Sequence, residues 1–382
     1  MGAQDKQLRI GINALYMIPG GVGGTEIYLR CLLAALASID TRNQYIVYAN
    51  HDTGASLCAP GPNFSVSVQP VRASIRPFRI LWEQTVMPWF LRRDQVDVVL
   101  CPGFTMPLAT RCPAVVVFHD LQHKRHPQYF SWWELPFWDF FLWASACRAT
   151  RLIAVSEATR RDILRYYNVD EGNVDVVRHG VETEFFEISK SRYRVSVHPF
   201  LLCVSTSHAH KNLDRLIRAF ADFRRAHPEF QLVIAGMHGR HIKELRRLVR
   251  GLGLTGAVDF TGWLPREELY GLFRMAHSFI YPSSFEGFGM PVLEALASGI
   301  PTACSEIQPI REIVGHAALK FDPGDVGAIR QAMERIVFDK ELRAQLSAEG
   351  LARAAKFSWE TSARETLAAL ERAVAQRSRS SS

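Results

Sequence analysis

Short apolar runs alternate with longer segments of helical period along the whole chain. In the first half the strand-like runs are LRIGINA (8–14), YIVYAN (45–50), VSVQPV (66–71), VDVVLC (96–101), AVVVFHD (114–120), LIAV (152–155) and VDVVRHG (174–180). Between them, TEIYLRCLLAALASI (25–39) and SEATRRDILRYY (156–167) carry their apolar residues at helical spacing. Strands that are apolar throughout, rather than alternating, are covered on both faces. With helices between them they predict a parallel sheet. Residues 185–199, FFEISKSRYRVSVHP, show no clean period and read as a linker. The alternation then restarts with FLLCVS (200–205), FQLVIAG (230–236), AVDFTG (257–262), SFIYP (278–282), PTACS (301–305) and ALKF (318–321). Residues 212–226 place Leu213, Leu216, Ile217, Phe220 and Phe223 on one helix face, behind Asn212 as a suitable cap.

This pattern predicts an α/β chain of two doubly wound, Rossmann-like parallel-sheet domains facing each other across a cleft. The expected divisions are a first domain over 1–185, a linker over 186–199, a second domain over 200–358, a final helix over 359–376 and a frayed tail over 377–382. Ligands of such sheets gather at the C-terminal ends of the strands.

Composition narrows the picture only a little. The chain has 382 residues, 48% hydrophobic and 22% charged, enough for two buried cores and unlike a disordered chain. A net charge of +7 suits an anionic partner such as a nucleotide, a phosphate or a membrane surface, and is equally common on basic surfaces without one. The seven cysteines are scattered and never spaced C-x-x-C, which points to a reducing compartment and away from zinc. There is no secretory-signal pattern, and no run approaches the roughly 20 apolar residues of a membrane span. The expected location is the cytoplasm, with the inner face of the plasma membrane as the place of any peripheral contact. Two aromatic stretches with nearby arginines, residues 72–93 and 127–148, read either as packing or as an acceptor or membrane-interface surface.

Candidate chemistry centres on SSFEGFGMPVLEALASGIP (283–301). Here Glu286 precedes a Gly287-Phe288-Gly289 turn, Met290 and Pro291 open a helix, and Glu294 lies about one turn inside it. The free N–H groups and dipole of a helix start attract an anion, and the glycines permit close backbone approach. Two carboxylates beside a phosphate would repel it. Carboxylates do accept hydrogen bonds from sugar hydroxyls, so the ligand that satisfies the whole pattern is a nucleotide sugar. Either glutamate alone reads as an ordinary loop or first-turn residue.

The stretch EGFGMPVLEALASGIP resembles the E-x7-E motif of retaining glycosyltransferases of family 4 (glycosyltransferase group 1). This large family has the two-domain GT-B fold and includes bacterial mannosyl- and glucosyltransferases. GGVGGTEIYL (20–29), RILWEQTVMP (79–88), FHDLQHKRHPQYF (118–130), AVSEATRRDI (154–163), HKNLDRLIRAF (210–220) and FTGWLPREELYGLF (260–273) resemble further family stretches in the same order. The resemblance implies that Glu286 contacts the donor sugar and Glu294 the ribose hydroxyls, while Gly287, Phe288, Gly289 and Met290 hold the diphosphate. It implies that the final helix returns to the first domain.

Lys211 follows a strand and precedes a helix, where an ammonium meets a diphosphate and stabilises the leaving group. A plain surface lysine is the other reading. Many relatives carry an arginine directly before this lysine or a few residues earlier; His210 and Thr206 stand there instead. The loop 19–26 fits neither a dinucleotide fingerprint nor a Walker A loop. The resemblance assigns its Gly21, Val22 and Gly23 to the donor phosphate and sugar, and a turn capped by Thr25 is the alternative. His119 and Asp120 end a central strand, where His119 is a candidate catalytic or sugar-binding group and Asp120, with Trp82, a candidate for the acceptor. Trp263 and Leu264 are candidates to border the nucleobase. No D-x-D segment is present, so no metal and no cofactor beyond the nucleotide-sugar co-substrate, GDP-mannose in this reading, are expected. The partners are a saccharide or lipid-linked acceptor and no nucleic acid. Of three alternatives, a dehydrogenase is disfavoured by the broken glycine fingerprint and two stay open. A sugar-nucleotide epimerase of similar fold would act without an acceptor. A non-catalytic binding subunit would tolerate Glu286→Ala.

Overall fold

The computed structural model describes residues 7–21, 23–57, 61–191 and 199–380. They form two compact units: residues up to Gly180 together with the helix that starts at Trp359, and Val181–Ser358.

In the first unit β1 (Arg9–Ala14), β2 (Gln44–Asn50), β3 (Phe64–Gln69), β4 (Val98–Cys101), β5 (Ala114–Phe118), β6 (Arg151–Ala154) and β7 (Val174–Val176) form one sheet. All its pairings are parallel, in the order β3-β2-β1-β4-β5-β6-β7. Every residue of β4 and β5 is buried, which is why both read as unbroken apolar runs. In the second unit β8 (Phe200–Val204), β9 (Gln231–Ala235), β10 (Val258–Gly262), β11 (Ser278–Tyr281), β12 (Thr302–Ser305) and β13 (Leu319–Phe321) are parallel in the order β10-β9-β8-β11-β12-β13. The predicted face of the Leu213–Ala226 helix is buried at Leu213, Leu216, Ile217, Phe220 and Phe223. Each such side chain stabilises the unit by about 1.5–3 kcal/mol.

Both sheets wind outward from a reversal of strand order, between β1 and β4 in one and between β8 and β11 in the other. Beyond the carboxyl ends of those strand pairs, diverging connections leave a crevice.

The helix from Trp359 belongs to the first unit, packing on the helix Gly24–Ile39 and burying Ala363, Ala369, Leu370 and Ala373. Glu371 pairs with Arg42 at 2.8 Å and Arg372 with Asp175 at 3.0 Å. The backbone is helical to Ser380, and residues 381–382 of the expected tail lie outside the described residues. The expected linker also differs. A helix spans Thr183–Lys190 and buries Phe185 and Ile188, with Phe185 edge-on to Tyr270 and Phe273. Val181, Phe185 and Ile188 are spaced at i, i+4 and i+7, a helical face too short to stand out as a period. Residues 192–198 of that stretch lie outside the described residues.

Candidate active site

In the second unit the reversal of strand order gathers charge. The loop after β8 carries Lys211 and the loop after β11 carries Glu286. Lys211 Nζ lies 2.6 Å from Glu286 Oε1, with the two side chains 14% and 11% exposed. Tyr281, the last residue of β11, donates its hydroxyl to the same carboxylate oxygen at 2.7 Å and accepts from Lys211 Nζ at 3.3 Å. Burial pushes the Glu286 carboxyl up, but the Lys211 ammonium, the Ser283 hydroxyl and His210 together more than offset this and leave it below the usual range. Burial and the Glu286 charge drive the Tyr281 phenol well up, so it remains a donor. The triad holds a cation in place, shielded but reachable.

Asn212 positions that cation in an unexpected way. Its side chain makes no helix-capping bond, and its backbone is left-handed at φ 57 and ψ 31. Asparagine adopts this region more readily than most residues with a Cβ. The side-chain Nδ2 donates to the carbonyls of Pro282 at 3.1 Å and Pro323 at 2.6 Å, while Oδ1 accepts from Arg215 at 2.6 Å. The residue after Lys211 is thus tied to the strand end that leads to Glu286. The carbonyl of His210 makes a second tie, accepting from the Ser284 N–H at 2.8 Å and the Ser284 hydroxyl at 2.9 Å. The His210 ring stacks beside His208 at 5.9 Å and lies edge-on to Phe285. Thr206 sits half-buried in the same loop.

Beyond Glu286, Gly289 has φ 115 and precedes the helix Met290–Ala297, with Pro291 in its first turn. A side chain would be strained there, so the glycine is what lets the chain turn into the helix. Gly287 and Met290 are partly buried, and Phe288 is buried edge-on to Phe357. Glu294 is also buried, and its Oε1 accepts from Arg266 Nη2 at 2.9 Å. Burial raises its pKa, with Arg266 opposing. The two glutamates are therefore shifted in opposite directions. Trp263 is exposed after β10, and Leu264 beside it is partly buried.

The remaining candidates lie in the first unit. Gly21 N–H donates to the Ile18 carbonyl at 2.8 Å, and Gly20 N–H to Glu26 Oε2 at 2.8 Å. A Cβ on Gly21 would come within 2.6 Å of the Ile18 side chain. Gly23, at φ 59, precedes the Gly24–Ile39 helix in the capping place read for Thr25, and Val22 lies outside the described residues. His119 is only 8% exposed, with Nε2 2.9 Å from the Pro102 carbonyl and its ring edge-on to Tyr28 and Phe104. Burial lowers its pKa to about 4, so the ring is neutral near pH 7, with Nε2–H donating to Pro102. Asp120 Oδ1 accepts the Gln122 N–H at 2.9 Å. Trp82 packs partly buried against the core and donates Nε1–H to Gln69 at 3.3 Å.

Sequence reading missed Tyr281, Arg266 and Glu182. Tyr281 was counted only as strand. Arg266 lay within FTGWLPREELYGLF, but neither spacing nor charge shows that it reaches Glu294.

Comparison with known proteins settles the family. The model of "Glycosyltransferase Family 4" matches residues 22–185 and that of "Glycosyl transferases group 1" matches residues 184–353. An MMP alpha-(1->4)-mannosyltransferase of Mycolicibacterium hassiacum is 30% identical over 305 residues, 75% of this chain and 72% of its own length. The chain belongs to glycosyltransferase family 4. Among further relatives of this family 4 chain, the O-antigen chain mannosyltransferase B of Escherichia coli is 29% identical over 304 residues, 77% of this chain and 78% of its own. The serotype-specific mannosyltransferase WbdA of Escherichia coli is 28% identical, over 73% of this chain but 35% of its own length. The Anabaena HepE structure with UDP and glucose superposes with a TM-score of 0.73 at 20% identity, covering 94% of this chain and 98% of that one. Sucrose-phosphate synthase from Thermosynechococcus elongatus gives 0.75 at 19% identity, covering 94% and 97%. The two Rossmann-like units of the family 4 chain are those of the GT-B fold.

Proposed function

We propose that this glycosyltransferase is a retaining, metal-independent hexosyltransferase. It takes mannose from GDP-mannose and places it on a hydroxyl of a saccharide, free or lipid-linked, during synthesis of a cell-surface polysaccharide or glycolipid. The mannosyl transfer named for its relatives supports the sugar. The observation that carries the reading is the Lys211–Glu286–Tyr281 cluster at the β8/β11 reversal, beside the N-terminus of the Met290–Ala297 helix.

In this reading the diphosphate lies against the Gly287–Met290 backbone and the helix start, where dipole and free N–H groups favour negative charge. Glu286 accepts from the hexose hydroxyls and Glu294 from the ribose. Trp263 and Leu264 border the base. Lys211 turns from Glu286 toward the phosphate as the C1–O bond to the diphosphate breaks, and it stabilises the charge left there. His210 and Thr206 stand where relatives carry a second cation. A diphosphate oxygen accepts the proton of the acceptor hydroxyl while the hydroxyl oxygen bonds C1 on the same face, which preserves the anomeric configuration. Gly21, Val22 and Gly23 are assigned to donor binding, and His119, Asp120 and Trp82 to the acceptor.

A thermal-shift panel of UDP-, GDP-, ADP- and TDP-sugars tests the donor, because a ligand bound only by the folded state raises Tm by mass action. GDP-mannose is expected to give the largest shift. No shift from any donor at about millimolar concentration removes the donor site. NMR of the product anomer, with and without EDTA, tests retention and metal independence.

A membrane-bound acceptor places the enzyme at the inner membrane face. Exposed aromatics support this: Trp132 and Trp133 are 85% and 65% exposed, and Phe137, Phe140 and Trp143 follow along the exposed side of the helix Leu135–Arg148. Aromatic side chains favour the headgroup level, and the exposed Arg148 at the end of the same helix suits anionic lipid. Among the described residues no helix is long and apolar enough to cross a membrane. Co-sedimentation with anionic vesicles is expected, and its loss in Trp132→Ala/Trp133→Ala. Binding unchanged by that double substitution removes this surface.

A further inference from the structure

One guanidinium stands between two carboxylates in the second unit. Arg266 opens the helix Arg266–Met275, and its Nη2 donates to Glu294 Oε1 at 2.9 Å. The same Nη2 makes a short contact with Glu182 Oε2, and Nε lies 3.4 Å from Glu182 Oε1. Tyr270, one turn along, donates its hydroxyl to Glu182 at 3.0 Å. The guanidinium packs over the Phe185 and Tyr270 rings at 5.1 and 5.4 Å, which leaves it little freedom to turn away.

The charges do not balance within this group. Two carboxylates and one guanidinium leave one negative charge over, and Glu294 is the more buried of the two acids. Arg266 is bonded to it, and the Glu294 charge also bears on Tyr270 of the same helix as Arg266 and on Tyr281 at the end of β11. Around these, Glu182 shares Arg266, Glu184 of the helix Thr183–Lys190 acts on Tyr270, and Glu286 of the loop after β11 accepts from Tyr281. Arg266 is the cation bonded to Glu294, and whatever share Glu182 takes is withdrawn from Glu294. The guanidinium fork has five N–H donors in a fixed plane, so it sets the direction of the carboxylate as well as its charge.

We propose that Arg266 is a positioning residue for the nucleotide ribose: it holds the Glu294 carboxylate turned as a double acceptor for the two vicinal hydroxyls, and Glu182 sets how much of that cation Glu294 receives. This rests on the donor-site reading above. Without Arg266 a buried carboxylate takes up a proton more readily, and a carboxylic acid accepts the two hydroxyls poorly. Without Glu182 the pair with Glu294 tightens and the carboxylate persists to lower pH. The two removals therefore act in opposite directions.

The test is calorimetric binding of GDP and UDP, and of their 2′,3′-dideoxy counterparts, from about pH 5.5 to about pH 8.5. The nucleotide that binds the wild type more tightly is followed. Arg266→Met is expected to weaken the ribonucleotide about tenfold at the acid end, with recovery as pH rises, since each unit of pKa is a factor of ten. The dideoxy compound should be nearly unaffected. Glu182→Gln is expected to move the acid limb to lower pH, and Arg266→Lys to fall between Met and wild type. Equal weakening of both nucleotides in Arg266→Met, or limbs that move the same way in Arg266→Met and Glu182→Gln, overturns the proposal. Should Arg266→Met fail to fold, Arg266→Lys and Glu182→Gln carry the same comparison. Glu294→Gln separates the two levels. If it does not discriminate ribose from dideoxyribose, the donor-site reading itself falls. If it does and Arg266→Met does not, only the role of Arg266 falls.

Discussion

The two sheets reverse strand order in the same way, yet the crevices outside those reversals are furnished differently. At β8/β11 a lysine and a glutamate meet within 2.6 Å and stay partly exposed. In the unit of β1/β4, Asn13 donates to Glu83 at 3.2 Å, Thr105 donates to the same Glu83 oxygen at 3.1 Å, and all three side chains are buried. A Cβ on Gly103 there would come within 2.4 Å of the Tyr16 ring. One crevice keeps charge available to a ligand; the other spends its polar groups on holding its own loops. Topology marks where a ligand can bind, and side-chain chemistry sets two such places apart.

Changes matched across the two units sharpen this contrast. Lys211→Ala should produce the largest effect, a fall in kcat of about 10²–10³ with the folded circular-dichroism spectrum retained. Undiminished turnover would remove Lys211 from the chemistry and level the contrast.

His119 makes the first unit sensitive to acid. Its folded pKa lies near 4 because of burial. An unfolded histidine binds a proton below about pH 6.5. Between those values the unfolded chain holds more protons, so stability falls as pH drops through the window. The loss is about 3 kcal/mol for this residue. Urea titrations should show it, and His119→Gln should flatten the slope. An unchanged slope would mean that the ring is not the buried neutral group described.

Glu83→Gln should cost about 2 kcal/mol of stability by leaving part of its buried network unpaired, while nucleotide binding stays as in the wild type. Weakened nucleotide binding would place Glu83 in the donor site and break the comparison from the other side.

The smallest expected effect is that of Asn212→Ala, which loses the ties to Pro282 after β11 and to Pro323 after β13 and must keep a left-handed backbone. Turnover should fall by about tenfold, the equivalent of one hydrogen bond's net contribution. Asn212→Gly should recover part of any loss in Tm but not the turnover, because glycine restores the backbone and not the amide.

Most of the fold was legible because continuous apolar strands and amphipathic helices are written in local periods of two and 3.6 residues. The Thr183–Lys190 helix escaped because its apolar face is only Phe185 and Ile188, with Val181 just before it. Asn212 was misread for another reason. A capping asparagine and a left-handed asparagine that bridges two distant carbonyls have the same neighbours in sequence, and only Pro282 and Pro323 tell them apart.

By itself the sequence determined the two parallel sheets, the strand-end position of Lys211 and Glu286, and the helix start between the two glutamates, since these follow from spacing along the chain. The tertiary structure decided that Tyr281 completes the lysine–glutamate pair, that Arg266 is divided between Glu182 and Glu294, and that His119 is deep and neutral. Those facts depend on distances between residues from 17 to 84 positions apart, and on which of them lose contact with water. A charge set by burial and by a partner from another loop leaves no trace in local spacing.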